Sequence, residues 1–256
     1  MCMFSTTGST SHRFDALSTT VVIKWYTGFV DCVGLDAVMP VILGRTATSQ
    51  YFEAQLYIQT ALVRTGNPDT PVARGTLQTP TNGNIDYNGG VIDISSDTAG
   101  KMYIRFGIGY KYSSGQAQAS ADVALEVGML KSGELVGSQS LQLFTTTTDD
   151  QVAPITPMLL AMSVDKVKLA VLCTSLSGNF RWRLAYRLAA TSKDGPGAWA
   201  AVTDANAPYT SGEVNTGELA VTVGSNLWIQ FGILYDLSSA GSGQASIAAT
   251  VGTRRS

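Results

Sequence analysis

The segment Met102-Tyr-Ile-Arg-Phe-Gly-Ile-Gly-Tyr-Lys-Tyr-Ser-Ser114 returns further along the chain, without a gap, as Leu227-Trp-Ile-Gln-Phe-Gly-Ile-Leu-Tyr-Asp-Leu-Ser-Ser239. Ile104, Phe106, Gly107, Ile108 and Tyr110 recur as Ile229, Phe231, Gly232, Ile233 and Tyr235. The period in both copies is two, the mark of a strand with one buried face. Met102, Ile104, Phe106, Ile108 and Tyr110 form that face in the first copy, and Leu227, Ile229, Phe231, Ile233 and Tyr235 form it in the second. The opposite faces, Tyr103, Arg105 and Gly107 against Trp228, Gln230 and Gly232, have diverged. A kept inner face and a drifted outer one is what burial of a single side imposes.

The likeness extends in both directions. Gln118-Ala119-Ser120 followed by Val127-Gly128 matches Gln244-Ala245-Ser246 followed by Val251-Gly252. Leu35-Asp36-Ala37-Val38 matches Val164-Asp165-Lys166-Val167, and Phe52 to Leu56 matches Phe180 to Leu184. The blocks keep their order, so the chain reads as a tandem duplication of a unit of roughly 100 residues, a common domain size. Turn residues punctuate the strand-like runs at Gly66-Asn67-Pro68-Asp69, Asn82-Gly83, Asn88-Gly89-Gly90, Asp194-Gly195-Pro196-Gly197 and Ala240-Gly241-Ser242-Gly243. No segment carries a capped amphipathic helical pattern. The expected fold is all-β, with two tandem, internally duplicated antiparallel β-sandwich domains of jelly-roll or immunoglobulin-like type.

The expected divisions are a flexible N-terminal arm over 1–14, a first sandwich over 15–130 and a second, repeating the first, over 131–256. Ser5 to Ser11 is a low-complexity Ser/Thr stretch, mobile alone and able to order on a partner. Thr145-Thr-Thr-Thr-Asp-Asp150, followed by Pro154 and Pro157, reads as the connection between domains. Thr19 to Trp25 and Ser140 to Phe144 read as the opening strands, although no duplication is visible there. Mid-strand Gly107 and Gly232 imply a bulge or a close sheet approach.

Composition excludes much. Of 256 residues 45% are hydrophobic and only 14% charged, against about 25% charged in an average globular protein, so charge-driven disorder is excluded. With 17 Lys+Arg, 19 Asp+Glu and a formal net charge of −2, no basic field exists to hold nucleic acid by counterion release. One histidine and three widely spaced cysteines remove most of the side chains from which nucleophilic, acid–base and metal sites are built. Cys2, Cys32 and Cys173 form neither a metal knuckle nor a disulfide framework. No cofactor, metal or sequence-specific nucleic acid is expected. Met1-Cys2-Met3-Phe4-Ser5 has neither the basic nor the apolar part of a secretory leader, and no window reaches the ~18 apolar residues of a membrane span. The expectation is a chain made for the cytoplasm or for an assembly built there, without a membrane.

Catalytic constellations are thin. His12 lies in the Ser/Thr arm with Asp15 only near in sequence, Asp149-Asp150 lacks a calcium-loop pattern, and Gly107-Ile-Gly109 and Gly241-Ser-Gly243 open no helix after a strand. Acid–base work would fall on Asp93, Glu126 or Glu218, which nothing brings together. No enzyme is expected. Interface candidates are clearer. Arg181, Arg183 and Arg187 form a basic stripe opposite Phe180, Trp182 and Tyr186, and the matching face of the first repeat carries Glu53, Gln55 and Gln59, a complementarity able to join domains or subunits. Trp199 and Trp228 are expected as exposed aromatics, and His12 and Arg13 as contacts from the arm. Arg254-Arg255-Ser256 is a second small basic feature.

A surface poor in charge does little to prevent association between sheet proteins. Together with the arm and the duplication, it implies a non-enzymatic structural subunit, self-associating or bound to other structural proteins of one particle. The expected setting is a virus particle: a capsid, decoration, neck or tail component of a phage. The alternative is a carbohydrate-binding sandwich whose exposed tryptophans stack on sugar rings.

Overall fold

A computed structural model describes residues 3–7, 11–46, 51–64, 66–79, 83–113, 119–161, 164–190, 196–202 and 212–254. Two compact units emerge, one of Met1–Ala61, Pro68–Thr98 and Tyr103–Ser132, the other of Leu62–Asn67, Ala99–Met102 and Gly133–Ser256.

The first half holds β1 (Met3–Thr7), β2 (His12–Ala16), β3 (Val22–Trp25), β4 (Val30–Asp31), β5 (Leu35–Thr46), β6 (Phe52–Ala61), β7 (Val72–Gln78), β8 (Asn84–Asn88), β9 (Ile92–Asp93), a single-turn helix α1 (Ser95–Thr98), β10 (Tyr103–Tyr112) and β11 (Ala119–Lys131). The second holds β12 (Gly133–Thr145), β13 (Gln151–Pro154), β14 (Leu159–Leu160), β15 (Lys166–Ser177), β16 (Phe180–Ala189), β17 (Ala200–Ala201), β18 (Gly212–Ala220), β19 (Trp228–Leu237) and β20 (Gly243–Arg254). β1 and β2 lie end to end on β11, as β12 lies unbroken along β20. β3 with β4, and β13 with β14, are likewise split strands along β10 and β19.

Each half therefore has eight strand places in two antiparallel sheets. In the first half β1/β2–β11–β5–β8/β9 faces β3/β4–β10–β6–β7 across one core, and in the second β12–β20–β15–β18 faces β13/β14–β19–β16–β17. Numbered by place, one sheet runs 1-8-3-6 and the other 2-7-4-5 in both halves, which is the double Greek key of a jelly roll. The strand order selects between the two sandwich types that alternation alone leaves open.

Alternation places the cores as expected. On β6, Phe52, Ala54, Leu56 and Ile58 are buried with Glu53, Gln55 and Tyr57 half-buried between them; on β16, Phe180, Trp182 and Leu184 are buried. The conserved inner face of β10 and β19 supplies Ile104, Phe106 and Ile108 to one core and Ile229, Phe231 and Ile233 to the other. Leu227 is an exception: it precedes β19 and is 44% exposed, whereas Met102, at the equivalent place before β10, is buried.

Two expectations are corrected, and a third is decided between its alternatives. The segment read as a free arm contains two strands, and β2 delivers Phe14 and Ala16 to the first core. Its Ser/Thr composition suits strands, since threonine is a good β-former, and the rim of β11 offers it a ladder. Thr145 to Asp150 is not the link between domains but the connection from β12 to β13 inside the second unit. Gly107 and Gly232 sit in unshifted ladders, so no bulge forms there; each is approached closely by a tryptophan instead. Cys32 and Cys173 are buried, while Cys2, Ser114, Asn82, Asp194, Gly195 and Arg255 lie outside the described residues.

Candidate functional site

Strand β16 sends its arginines to the outer face of its sheet, where each meets a partner from the same half. Arg181 forks onto Asp236, directly opposite on β19, with Nε donating to Oδ1 at 2.7 Å and Nη2 to Oδ2 at 2.6 Å. Asp236 is buried, and this carboxylate holds the Arg181 guanidinium above its ordinary pKa against the opposing effect of desolvation. Arg183 donates to both oxygens of Asp150 and lies 3.8 Å from Asp236. Arg187 donates from Nε to Gln230 Oε1 at 2.8 Å and stacks over the Trp199 ring, 4.8 Å from its centroid.

The matching residues of the first half behave alike. Glu53 pairs with Lys111 at 3.2 Å, across the β6–β10 ladder, and Gln55 donates to the Gly75 carbonyl at 2.8 Å. The partners expected of Arg181, Arg183, Arg187 and of Glu53, Gln55 in each other are thus found inside each half instead, on directly opposed strand positions for Arg181, Arg187 and Glu53 and on the β12–β13 connection and β7 for Arg183 and Gln55. Trp199 is half-buried against Gly232, where an added Cβ would stand 2.9 Å from the ring. Trp228 is half-buried at the start of β19 opposite Leu160. His12 turns inward and meets Tyr26 edge to face at 5.0 Å, while Arg13 points outward to Ser120 Oγ at 2.8 Å, near Asp15 and Asp122.

Four further residues complete the pattern, of which sequence reasoning placed Gln59 and Arg105 on outer faces without joining them and passed over Phe29. Arg105 on β10 stands opposite Gln59 on β6 and donates to its Oε1 from Nε at 2.8 Å. Its guanidinium lies 4.2 Å from the Trp25 ring centroid and 4.8 Å from that of Phe29. Burial lowers its pKa. Trp25 covers Gly107 as Trp199 covers Gly232. The signal lay in the drifted face, where Arg105 aligns with Gln230 and Gln59 with Arg187.

The outer faces of the other two sheets differ sharply. On β2, β11, β5 and β8 the outward rows carry Arg13, Asp15, Asp122, Arg45 and Asp86, with Arg45 and Asp86 at 2.9 Å and every member of these ion pairs about half exposed or more. On β12, β20 and β15 the rows toward one end are Ser140, Ala248 and Leu172, then Gln142 and Ser246, then Phe144 and Gln244, without a charge, while the rows toward the other end hold Lys168, then Lys166 and Arg254, and β18 adds Glu213 and Glu218. Phe144 is 63% exposed.

Chemistry-bearing side chains stay apart. Asp93 accepts from the Ser95 amide at 2.8 Å, Glu126 is exposed on β11, and the Glu218 side chain lies outside the described residues. Among the described residues no group of three His, Cys, Asp or Glu is placed to hold a metal ion, and no helix is long and apolar enough to cross a membrane.

No family model and no curated protein sequence matches the chain. Among solved structures it is similar to that of the infectious bursal disease virus Gt strain, at 10% identity and a TM-score of 0.41, over 99% of this chain and 42% of that one. The chain spans about two fifths of the length of the infectious bursal disease virus chains first matched. It is also similar to the PBSX exported protein XepA, at 8% identity and a TM-score of 0.26, over 97% of this chain and 86% of that one. A third is an archaeal virus structure described as a triple jelly roll fold and turret assembly, at 11% identity and a TM-score of 0.26, over 96% of this chain and 60% of that one.

Proposed function

We propose that this chain is a non-enzymatic structural subunit of an ordered protein assembly, a virion component of the capsid, decoration, neck or tail kind, acting through the faces and edges of its β-domains. The observation that carries this is the strand order: two tandem jelly rolls, an architecture that recurs in viral capsid and lectin domains. Fold alone does not assign function, and the choice between those two uses rests on the surface. The three uncharged rows through Ser140, Gln142 and Phe144, with Phe144 exposed among them and the charges Lys166, Lys168 and Arg254 confined to the other end of the face, have the charge depletion of an interface centre. The carbohydrate alternative rested on free tryptophan faces, and the Trp199 ring is engaged by Gly232 and Arg187.

Light scattering after size-exclusion chromatography, with negative-stain microscopy of the same fractions, tests the reading. Rings, tubes or shells of defined copy number are expected. A monomer at every concentration, together with saturable binding on a glycan array, would replace the reading with the carbohydrate-binding one.

A further inference from the structure

Strand β12 closes one edge of its sheet, and that edge is unlike the others among the described residues. It runs 13 residues, against about 5–6 for a mean strand, and from Leu135 to Thr145 it contains neither a charge nor a proline. Ser138, Gln139, Ser140 and Gln142 are exposed along it. Its register shift lies near one end, between Leu135 and Gly137. The counterpart in the first half is split into β1 and β2 and carries Arg13 and Asp15. β8 is five residues long with Asp86, β18 holds Glu213 and Glu218, and β7 holds Arg74 and a register shift beside a left-handed Gly75. The remaining edge strands have four residues or fewer.

A free edge presents unpaired main-chain donors and acceptors to any other strand, and proteins ordinarily blunt it with brevity, breaks, prolines or charges. Among the described residues every other edge is blunted in one of those ways along its length; β12 is interrupted only at its start, by Glu134 and the register shift, and is open from Ser138 to Thr145. We propose that β12 pairs antiparallel with β12 of a second copy of this chain across a two-fold axis at Ser140, joining two four-stranded sheets into one of eight.

The chemistry fixes the occupant. The rim offers alternating N–H and C=O groups with no charged anchor, which an extended strand satisfies. A two-fold axis sets the strand against itself, and a neutral strand meets no like charge there. With the axis at Ser140, the exposed window 138–142 falls on its own copy, placing Gln142 of one chain beside Ser138 of the other and Gln139 beside Leu141. Phe144 then falls opposite the other copy's Val136, at the register shift. The pairing does not require the assembly to be a virus particle.

The experiment uses the full chain and its Ser140→Lys and Ser140→Glu variants, each alone and in equal mixture, in light scattering with far-UV circular dichroism of each. Wild type is expected to associate in even-numbered species. Each variant, carrying its charge directly opposite the same charge, is expected to keep the wild-type spectrum and lose at least about tenfold in self-affinity. The mixture, with lysine facing glutamate, is expected to recover association. A variant that associates like wild type, a mixture that stays dissociated, or a wild type monomeric throughout overturns the proposal. Closed particles formed equally by Ser140→Lys would remove the β12 pairing and leave the assembly function standing. A β12-dependent dimer that never closes into a particle would do the reverse.

Discussion

Arg105 and Gln59 face each other across the β10–β6 ladder, joined from Nε to Oε1 at 2.8 Å, and the second half keeps that bond with its ends exchanged. There β19 carries Gln230 and β16 carries Arg187. A direct cross-strand pair permits such an exchange, since donor and acceptor meet whichever strand carries which. The aromatic support moved with the guanidinium. Trp25 reaches Arg105 from β3, beside β10, and Trp199 reaches Arg187 from the chain leading into β17, beside β16.

Arg187→Ala is expected to lower stability by about 1–2 kcal/mol, through loss of a hydrogen bond and of a cation–π contact. Gln230→Ala should cost about 1 kcal/mol, and the double variant less than the sum, because the two share a bond. Arg187→Lys is expected to rescue little, having no planar fork to lie on Trp199 while donating to Gln230. Urea titrations of the four proteins measure the coupling.

Gly107→Ala would place a methyl 2.7 Å from the Lys24 carbonyl oxygen and 2.8 Å from the Trp25 ring. Backbone cannot yield as a side-chain tip does, so a loss of about 1–3 kcal/mol is expected. Gly232→Ala meets Trp199 at 2.9 Å and the Ala153 carbonyl at 3.0 Å and should behave alike. Thermal melts in which either variant matched wild type would show that both the ring and the neighbouring strand give way to the methyl.

Phe14 is buried and packs edge to face on Tyr110 at 4.7 Å. Phe14→Ala is expected to cost about 3–5 kcal/mol, whereas Arg13→Ala next to it, with exposed ion pairs, should stay within roughly 0.5 kcal/mol. A truncation removing residues 1–14 is therefore a test of folding before it is a test of assembly, and denaturant curves should show the first half destabilised.

Tyr26 donates its phenolic proton to the Val123 carbonyl, and burial pushes its pKa above the ordinary tyrosine range. A raised folded-state value means that this contribution is complete below the unfolded pKa of about 10 and is lost as pH rises through the folded value. Unfolding between pH 9 and 11 should show a loss in wild type that is smaller in Tyr26→Phe. The same variant should be about 1 kcal/mol less stable at neutral pH.

Period-two alternation and self-comparison make the class of fold and the duplication legible, because burial of one sheet face constrains every second residue in both copies. They miss β1 and β2. In this stretch the duplication keeps the strand and its alternation but not its residues: Phe14 and Ala16 stand where Leu141 and Leu143 do, and only pairing to β11 and β20 reveals the equivalence. They also miss the partners of Arg181, Arg183 and Arg187. Alternation tells which face a side chain takes but not the register of the facing strand, and it is register that sets Asp236 beside Arg181. Strand order was hidden for a similar reason, being carried by loops whose turn residues suit more than one topology.

Each half closes by laying its first strand place on its last. Arg13 and Ser120 touch across 107 residues of chain, and Gln142 and Ser246 across 104. Contacts so distant in sequence form late. At a ribosomal rate of roughly 5–20 residues per second, about 5 to 20 s separate the making of β2 from that of β11. Throughout that interval Phe14 has no sheet to enter, and the sticky apolar side chain must be tolerated by the nascent chain or sheltered by a chaperone.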